Sequence, residues 1–258
     1  MNYIAGSIGR WAIGSLTHII DILAFNYRMS MLFFHRPLEG RAVIRKVIVE
    51  QVYFTAVQAF GLIIPIALIM GSTLIVGFAR LSGQYDLGKV MVLLVVRELG
   101  PLITAILVIL RSATAVTTEV SYMVVLKEID AIEMAGIDPM RMITLPRFIG
   151  ITTAILCMFI VFDLVAIIGG YAIVWVVTYI KMGDFLGQIG KAITGADIAV
   201  SVIKALCFGV TITVTSLTHG FSPKKLMTEI PEKNPKAFIE CFFYCLVVNV
   251  IISILFYL

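Results

Sequence analysis

Charge is scarce in this chain: only 14% of its 258 residues are Asp, Glu, Lys or Arg, whereas 60% are hydrophobic. A soluble domain carries about a quarter charged residues, so that class is excluded. Pro-, Gly- or Ser-rich linkers are absent, which predicts a single domain over 1–258. Of the few cysteines, Cys157, Cys207, Cys241 and Cys245 all fall inside apolar runs with no His or Asp at metal spacing. They read as small buried hydrophobes, not as metal or redox ligands. Neither HExxH nor GxSxG occurs, and no catalytic residue is assigned. The run Gly187-Gln-Ile-Gly-Lys191 resembles a phosphate loop only superficially, lacking its spacing and the Ser/Thr after the lysine. No cofactor is therefore expected on this chain. The N-terminus has no basic segment leading into an apolar core and a small-residue cleavage site, so no cleavable signal peptide is expected.

What the chain has instead is long apolar runs and a mean hydropathy of +1.03. Five stretches reach the roughly 20 residues needed to cross a bilayer. They are Val47–Phe78, Val90–Leu110, Phe148–Ile180, Ile198–Leu217 and Phe238–Leu258. The fold class is an all-α polytopic membrane protein: five transmembrane helices, an N-terminal interfacial helix and a cytoplasmic coupling helix. Pro65 in the first stretch and Gly169-Gly170 in the third predict tilts or kinks.

Basic residues set the orientation. One set of loops carries Arg10, Arg28, Arg36, Arg41, Arg45 and Lys46, then Arg111, Lys127, Arg141 and Arg147, then Lys224, Lys225, Lys233 and Lys236. The other carries only Arg80, Lys89, Lys181 and Lys191. The positive-inside rule puts the N-terminus in the cytoplasm and the C-terminus outside. The net charge of +4 arises at span ends and gives no reason to expect nucleic acid. Within 1–46, Leu16, Ile19, Ile20, Leu23 and Tyr27 recur at helical spacing while His18, Asp21 and Arg28 lie off that face. This favours a helix lying on the membrane over a sixth span. Residues 181–197 mix charges and glycines with Phe185, Leu186 and Ile189, and predict a short helix on the outer surface.

Two polar features interrupt the apolar pattern. The first is the region 111–147, predicted to sit in water. There Val125, Ile129 and Ile132 form a narrow apolar stripe while Lys127, Asp130 and Glu133 point elsewhere. Gly136 reads as a helix stop, and Asp138-Pro139 as an N-cap with a first-turn proline that starts the next helix. The second is Arg97-Glu98-Leu-Gly-Pro101, inside an apolar run. Counting from Gly88 at about 1.5 Å per residue places Glu98 near the bilayer midplane. Pro101 cannot donate to the Arg97 carbonyl, so a kink and a freed acceptor are predicted. Two roles stay open for Glu98: lining a substrate cavity, or a structural ion pair, the latter favoured for Arg97. Asp163 reads as a buried hydrogen-bonding group between helices. Gly71 and Gly77 would permit close helix approach.

Together these motifs resemble the MlaE/YrbE permease family, the membrane subunit of MCE-associated lipid ABC transporters. The resemblance runs from about Val47 onward. It rests on Arg97-Glu-Leu-Gly-Pro101, Arg111 with Glu119 and Met123, Ile129-Asp-Ala131, Gly136-Ile-Asp-Pro139 and Pro146-Arg147. Departures are Thr118-Glu-Val-Ser-Tyr-Met123, where the family has Ala-Glu-Leu-Gly-x-Met, and Lys127-Glu128, where it has Glu-Gln. The resemblance implies an inner-membrane homodimer that moves phospholipid or a related lipid. It further implies a separate ABC ATPase that binds ATP and Mg, and an MCE-domain protein that takes part in the lipid pathway. It places Glu98, Arg97, Met70, Phe78 and Leu81 at the lipid cavity, and Glu119, Glu128, Asp130, Glu133 and Asp138 at the ATPase contact. A secondary transporter or channel for a hydrophobic solute is the alternative.

Overall fold

A computed structural model describes residues 17, 20–29, 31, 41–79, 89, 91–175, 182–222 and 230–257. All regular structure among them is helical. Five helices are long and apolar enough to cross a membrane: Ile44–Gly77, Val92–Val125, Met140–Ile173, Gly195–Gly220 and Asn234–Phe256. These are the first to fifth spans. The chain is an all-α polytopic membrane protein.

The fourth span is the hub. It packs against the second, third and fifth spans, while the first leans on the third. Small residues set these approaches. A Cβ on Gly209 would meet the Thr152 backbone at 2.8 Å, and one on Gly220 would meet Val120 at 2.9 Å. The first and third spans come closest, at Gly71, whose Cβ would collide with the Ala166 carbonyl, and at Gly170, whose Cβ would collide with the Gly71 backbone. The close approach predicted for Gly71 is therefore present. Nothing lies within 4 Å of a Cβ on Gly77.

The helices are irregular. π-helical turns occur at Val92–Leu99, Ile109–Ala113, Met140–Thr144 and Val165–Gly169. The last ends at the predicted Gly169-Gly170 site. In the first span Pro65 lies inside a continuous helix, and the break comes earlier, at Ala56 and the 3₁₀ turn Val57–Ala59.

The charged region 111–147 needs correction. Arg111–Val125 does not form a separate element, because the helix of the second span runs straight through it. It breaks only at Leu126-Lys127, where Lys127 adopts φ +60°. A short linking helix, Glu128–Met134, follows. The predicted stop at Gly136 is present at φ +77°. The predicted restart is present too, with the Met140 amide donating to Asp138 Oδ1 at 3.0 Å. Ile129 and Ile132 pack against the core.

Of the segment 1–46, residues 20–29 form a helix whose Ile22 and Phe25 face the core, with the Phe25 ring 6.1 Å from Phe221. Most of the segment lies outside the described residues. The helix expected within 181–197 spans Met182–Ala192; Phe185 stacks on Tyr171 at 5.1 Å.

Candidate functional site

The second span opens on the wide turns of Val92–Leu99. π-turns of this kind appear often at functional sites. The Gly100 amide donates to the Val95 carbonyl, five residues back. Pro101 has no amide, so it leaves the Val96 carbonyl open in the wide register and the Arg97 carbonyl open in the ordinary one. Side chains from the fourth span fill both. Ser201 Oγ donates to the Val96 carbonyl at 2.8 Å, and Lys204 Nζ to the Arg97 carbonyl at 3.0 Å.

Lys204 is completely buried. Its ammonium also donates to Glu98 Oε1 at 2.7 Å and to Ser253 Oγ at 2.8 Å. The Glu98 carboxylate accepts further bonds from Ser253 Oγ at 2.9 Å and from Asn249 Nδ2 at 3.1 Å. Asn249 and Ser253 are one turn apart on the fifth span, which continues the buried stripe of Cys241 and Cys245. One residue earlier than Glu98, Arg97 Nε donates to Asp197 Oδ1 at 2.6 Å, in an ion pair with a carboxylate that is only 2% exposed. Asp197 Oδ2 in turn accepts from the Thr194 amide and hydroxyl, which closes a capping box at the start of the fourth span.

Two opposed ion pairs thus join the second and fourth spans at the end of the bundle away from the linking helix. Together they are electrically neutral, as burial in hydrocarbon demands. Lys204, Glu98 and Asp197 are each held by more than a counter-ion, which is what keeps a desolvated pair favourable. Arg97 is structural in its contacts. Glu98 closes an ion pair with Lys204 and keeps 27% of its side chain exposed.

Asp163 is buried beside this cluster. Its Oδ1 abuts Gly100, where a Cβ would collide with it, and has no hydrogen-bond partner. The predicted inter-helix hydrogen bond is not made at that atom; the contact is steric. Met70 packs half-buried against the core. Its stretch of the first span lies on the third span, whereas Val92–Leu99 lies on the fourth. Leu81 lies outside the described residues, as does the side chain of Phe78.

At the opposite end, Glu128, Asp130, Glu133 and Asp138 are all exposed on or just after the linking helix, with Met134 protruding. Glu119 is not on the linking helix. It sits on the second span and pairs at 2.8 Å with the buried Arg147 of the third.

The family model described as Permease MlaE matches residues 48–255. The chain belongs to the MlaE permease family. Full-length similarity extends to a probable ABC transporter permease protein of Rickettsia conorii, 23% identical over 98% of both chains. The intermembrane phospholipid transport system permease protein MlaE of Haemophilus influenzae is 29% identical over 79% of this chain and 80% of its own. The chloroplastic protein trigalactosyldiacylglycerol 1 of Arabidopsis thaliana is 29% identical over 55% of this chain and 41% of its own.

Sequence reasoning missed most of the Glu98 site in this MlaE-family permease. Lys204 and Asp197 had a readable signal: Lys204 is the sole basic residue within the run Ile198–Leu217, and Asp197 immediately precedes that run. A lone charge in a span asks for a partner. Asn249 and Ser253 had no comparable signal, being uncharged residues on an otherwise apolar helix.

Proposed function

We propose that this chain is the permease subunit of a lipid ABC transporter. It moves phospholipid or a related lipid between the inner membrane and an MCE-protein pathway to the outer membrane, and a separate ATPase drives it. The observation that carries this reading is the match to the MlaE family over almost all of the membrane-spanning region. The polar knot around Glu98 supports it, because a partly exposed carboxylate with neutral donors suits the headgroup end of an amphiphile in an apolar setting. Glu98, Arg97, Met70, Phe78 and Leu81 line a lipid cavity that is completed in a homodimer. Glu128, Asp130, Glu133 and Asp138 contact the ATPase, and Glu119 braces the second span behind them. The N-terminus and linking helix face the cytoplasm and the C-terminus faces the periplasm, following the basic residues.

Coupling needs the two permease states to bind the ATP-loaded partner differently. The linking helix suits that role, being short, acidic, exposed and hinged at Lys127 and Gly136.

The test is reconstitution of the permease with and without its ATPase in liposomes carrying photoactivatable phospholipid. Lipid movement that requires the ATPase and ATP, with Glu98→Ala reducing labelling at unchanged protein level, supports the reading. Movement driven by an ion gradient alone would overturn it in favour of a secondary transporter. Charge reversal at Asp130 and Glu133 separates the docking role: the ATPase should no longer co-elute while the permease stays folded.

A further inference from the structure

A groove of about 360 Å³ opens between the first and second spans toward the linking-helix end. Glu50, Gln51 and Phe54 form one wall, Ala115 and Glu119 the other, and Arg147 the floor. The groove exists because Ala115 contributes only a methyl group midway between Arg111 and Glu119, which lie four residues to either side on the same helix face. Its far wall is fixed. A Cβ on Gly150 of the third span would meet the Gln51 side chain at 2.7 Å, so the first span is pressed against the third just behind the groove.

Charge is distributed unevenly along it. The buried Arg147 is engaged by Glu119 at 2.8 Å and by its own helix at the Ile143 carbonyl, while its Nε has no protein partner. The Glu119 side chain remains 59% exposed. Glu50 is 65% exposed and has only a loose contact with Lys46 at 3.9 Å. Just beyond the groove lining, Arg111 lies 5.0 Å over the ring of the wall residue Phe54 and donates to Gln58 at 2.5 Å. The groove therefore presents two accessible carboxylates, and the Arg111 guanidinium borders it at Phe54, about two helical turns along the second span from Glu119. Val49 and Tyr53 extend an exposed apolar surface beside it. Arg111 directly follows the apolar run Val90–Leu110, which puts the groove at the level of the lipid headgroups.

We propose that this groove binds a phospholipid headgroup bearing both a phosphate and a primary ammonium, of the phosphoethanolamine type, on the linking-helix side of the membrane. Arg111 faces the phosphate, and Glu119 and Glu50 accept from the ammonium. A primary ammonium offers three N–H donors to these carboxylates, whereas a quaternary choline offers none. A purely anionic headgroup would meet the two carboxylates unfavourably. This site is separate from Glu98, at the opposite end of the second span, and does not depend on the reading of that residue.

The experiment uses the permease with its ATPase in nanodiscs containing photoactivatable phosphatidylethanolamine, phosphatidylcholine or phosphatidylglycerol, with adducts mapped by peptide mass spectrometry. Charge-assisted hydrogen bonds discriminate by about tenfold or more. The ethanolamine lipid should therefore label peptides from 44–58 and 111–125 about tenfold more than the other two. Ala115→Leu, which fills the groove, and Glu119→Gln, which weakens the ammonium contact, should each remove that preference. Glu98→Gln should leave it unchanged while altering labelling near residue 98. Equal labelling by all three lipids would mean ordinary boundary lipid and overturn the proposal. So would adducts absent from the groove, as when a second copy of the chain covers it, or a preference that survives both groove variants. Loss of groove labelling in Glu98→Gln would overturn the separateness of the two sites.

Discussion

Lys204 and Arg97 are two cations joined through a backbone oxygen: the Lys204 ammonium donates to the Arg97 carbonyl at 3.0 Å. The arrangement is tolerable because each cation has its own carboxylate, Glu98 for Lys204 and Asp197 for Arg97. Proline chemistry creates the acceptor and a buried lysine occupies it, so backbone irregularity and ion pairing are one device.

Lys204→Met should therefore cost more than a lost hydrogen bond. It leaves Glu98 without a counter-ion and the Arg97 carbonyl without a donor. Breaking one partner of a buried pair costs about 3–5 kcal/mol. Thermal midpoints in detergent should fall for Lys204→Met and for Glu98→Gln, and the double variant should recover part of the loss. Strictly additive losses would show that the two residues are not coupled.

Much of this was legible beforehand for physical reasons that can be traced to particular residues. The spans were readable because hydrocarbon thickness sets their length. Pro101 announced a free Arg97 carbonyl because a missing amide is a property of the residue alone. Gly136 and Asp138-Pro139 announced a helix stop and restart for similar local reasons. Three-dimensional pairing was not legible. Lys204 meets Glu98 across 106 positions, and only packing of the second on the fourth span brings them together. The continuation of the second-span helix through Arg111 and Glu119 was not legible, and that stretch was misread as a separate element. Polar residues were taken to end the helix, although a helix can run on beyond the hydrocarbon wherever its backbone stays paired.

Glycine substitutions separate close approach from mere smallness. Gly71→Ala and Gly170→Ala each drive a methyl group into backbone atoms of the facing helix. Overpacking of this kind costs about 1–3 kcal/mol. Gly77→Ala meets nothing within 4 Å and should be neutral in the same melting assay. A large effect at Gly77 would contradict the packing.

Gly100 and Asp163 should behave as a steric pair. Gly100→Ala alone should destabilise the fold, because the new methyl collides with the carboxylate. Combining it with Asp163→Ala should restore part of the stability. If Asp163→Ala instead deepens the loss, the carboxylate is making a contribution beyond occupying space.

Gly136→Ala places a side chain at φ +77°, which costs about 1–2 kcal/mol in the left-handed region. Asp138→Ala removes the cap on Met140 and costs about 1 kcal/mol. Both should act locally. Hydrogen exchange should quicken in the linking helix and the first turn of the third span, while amides around Lys204 keep their protection. Uniform quickening would mean that the linker is integral to the whole bundle.

The second span is a 34-residue helix. At about 1.5 Å per residue it is close to 50 Å long, some 20 Å more than the hydrocarbon it crosses. It therefore has the form of a post longer than the hydrocarbon is thick, with its ion pairs near one end and the linking helix at the other. A partner gripping its foot has a long lever arm, so a displacement of a few ångströms there becomes a tilt of the whole post.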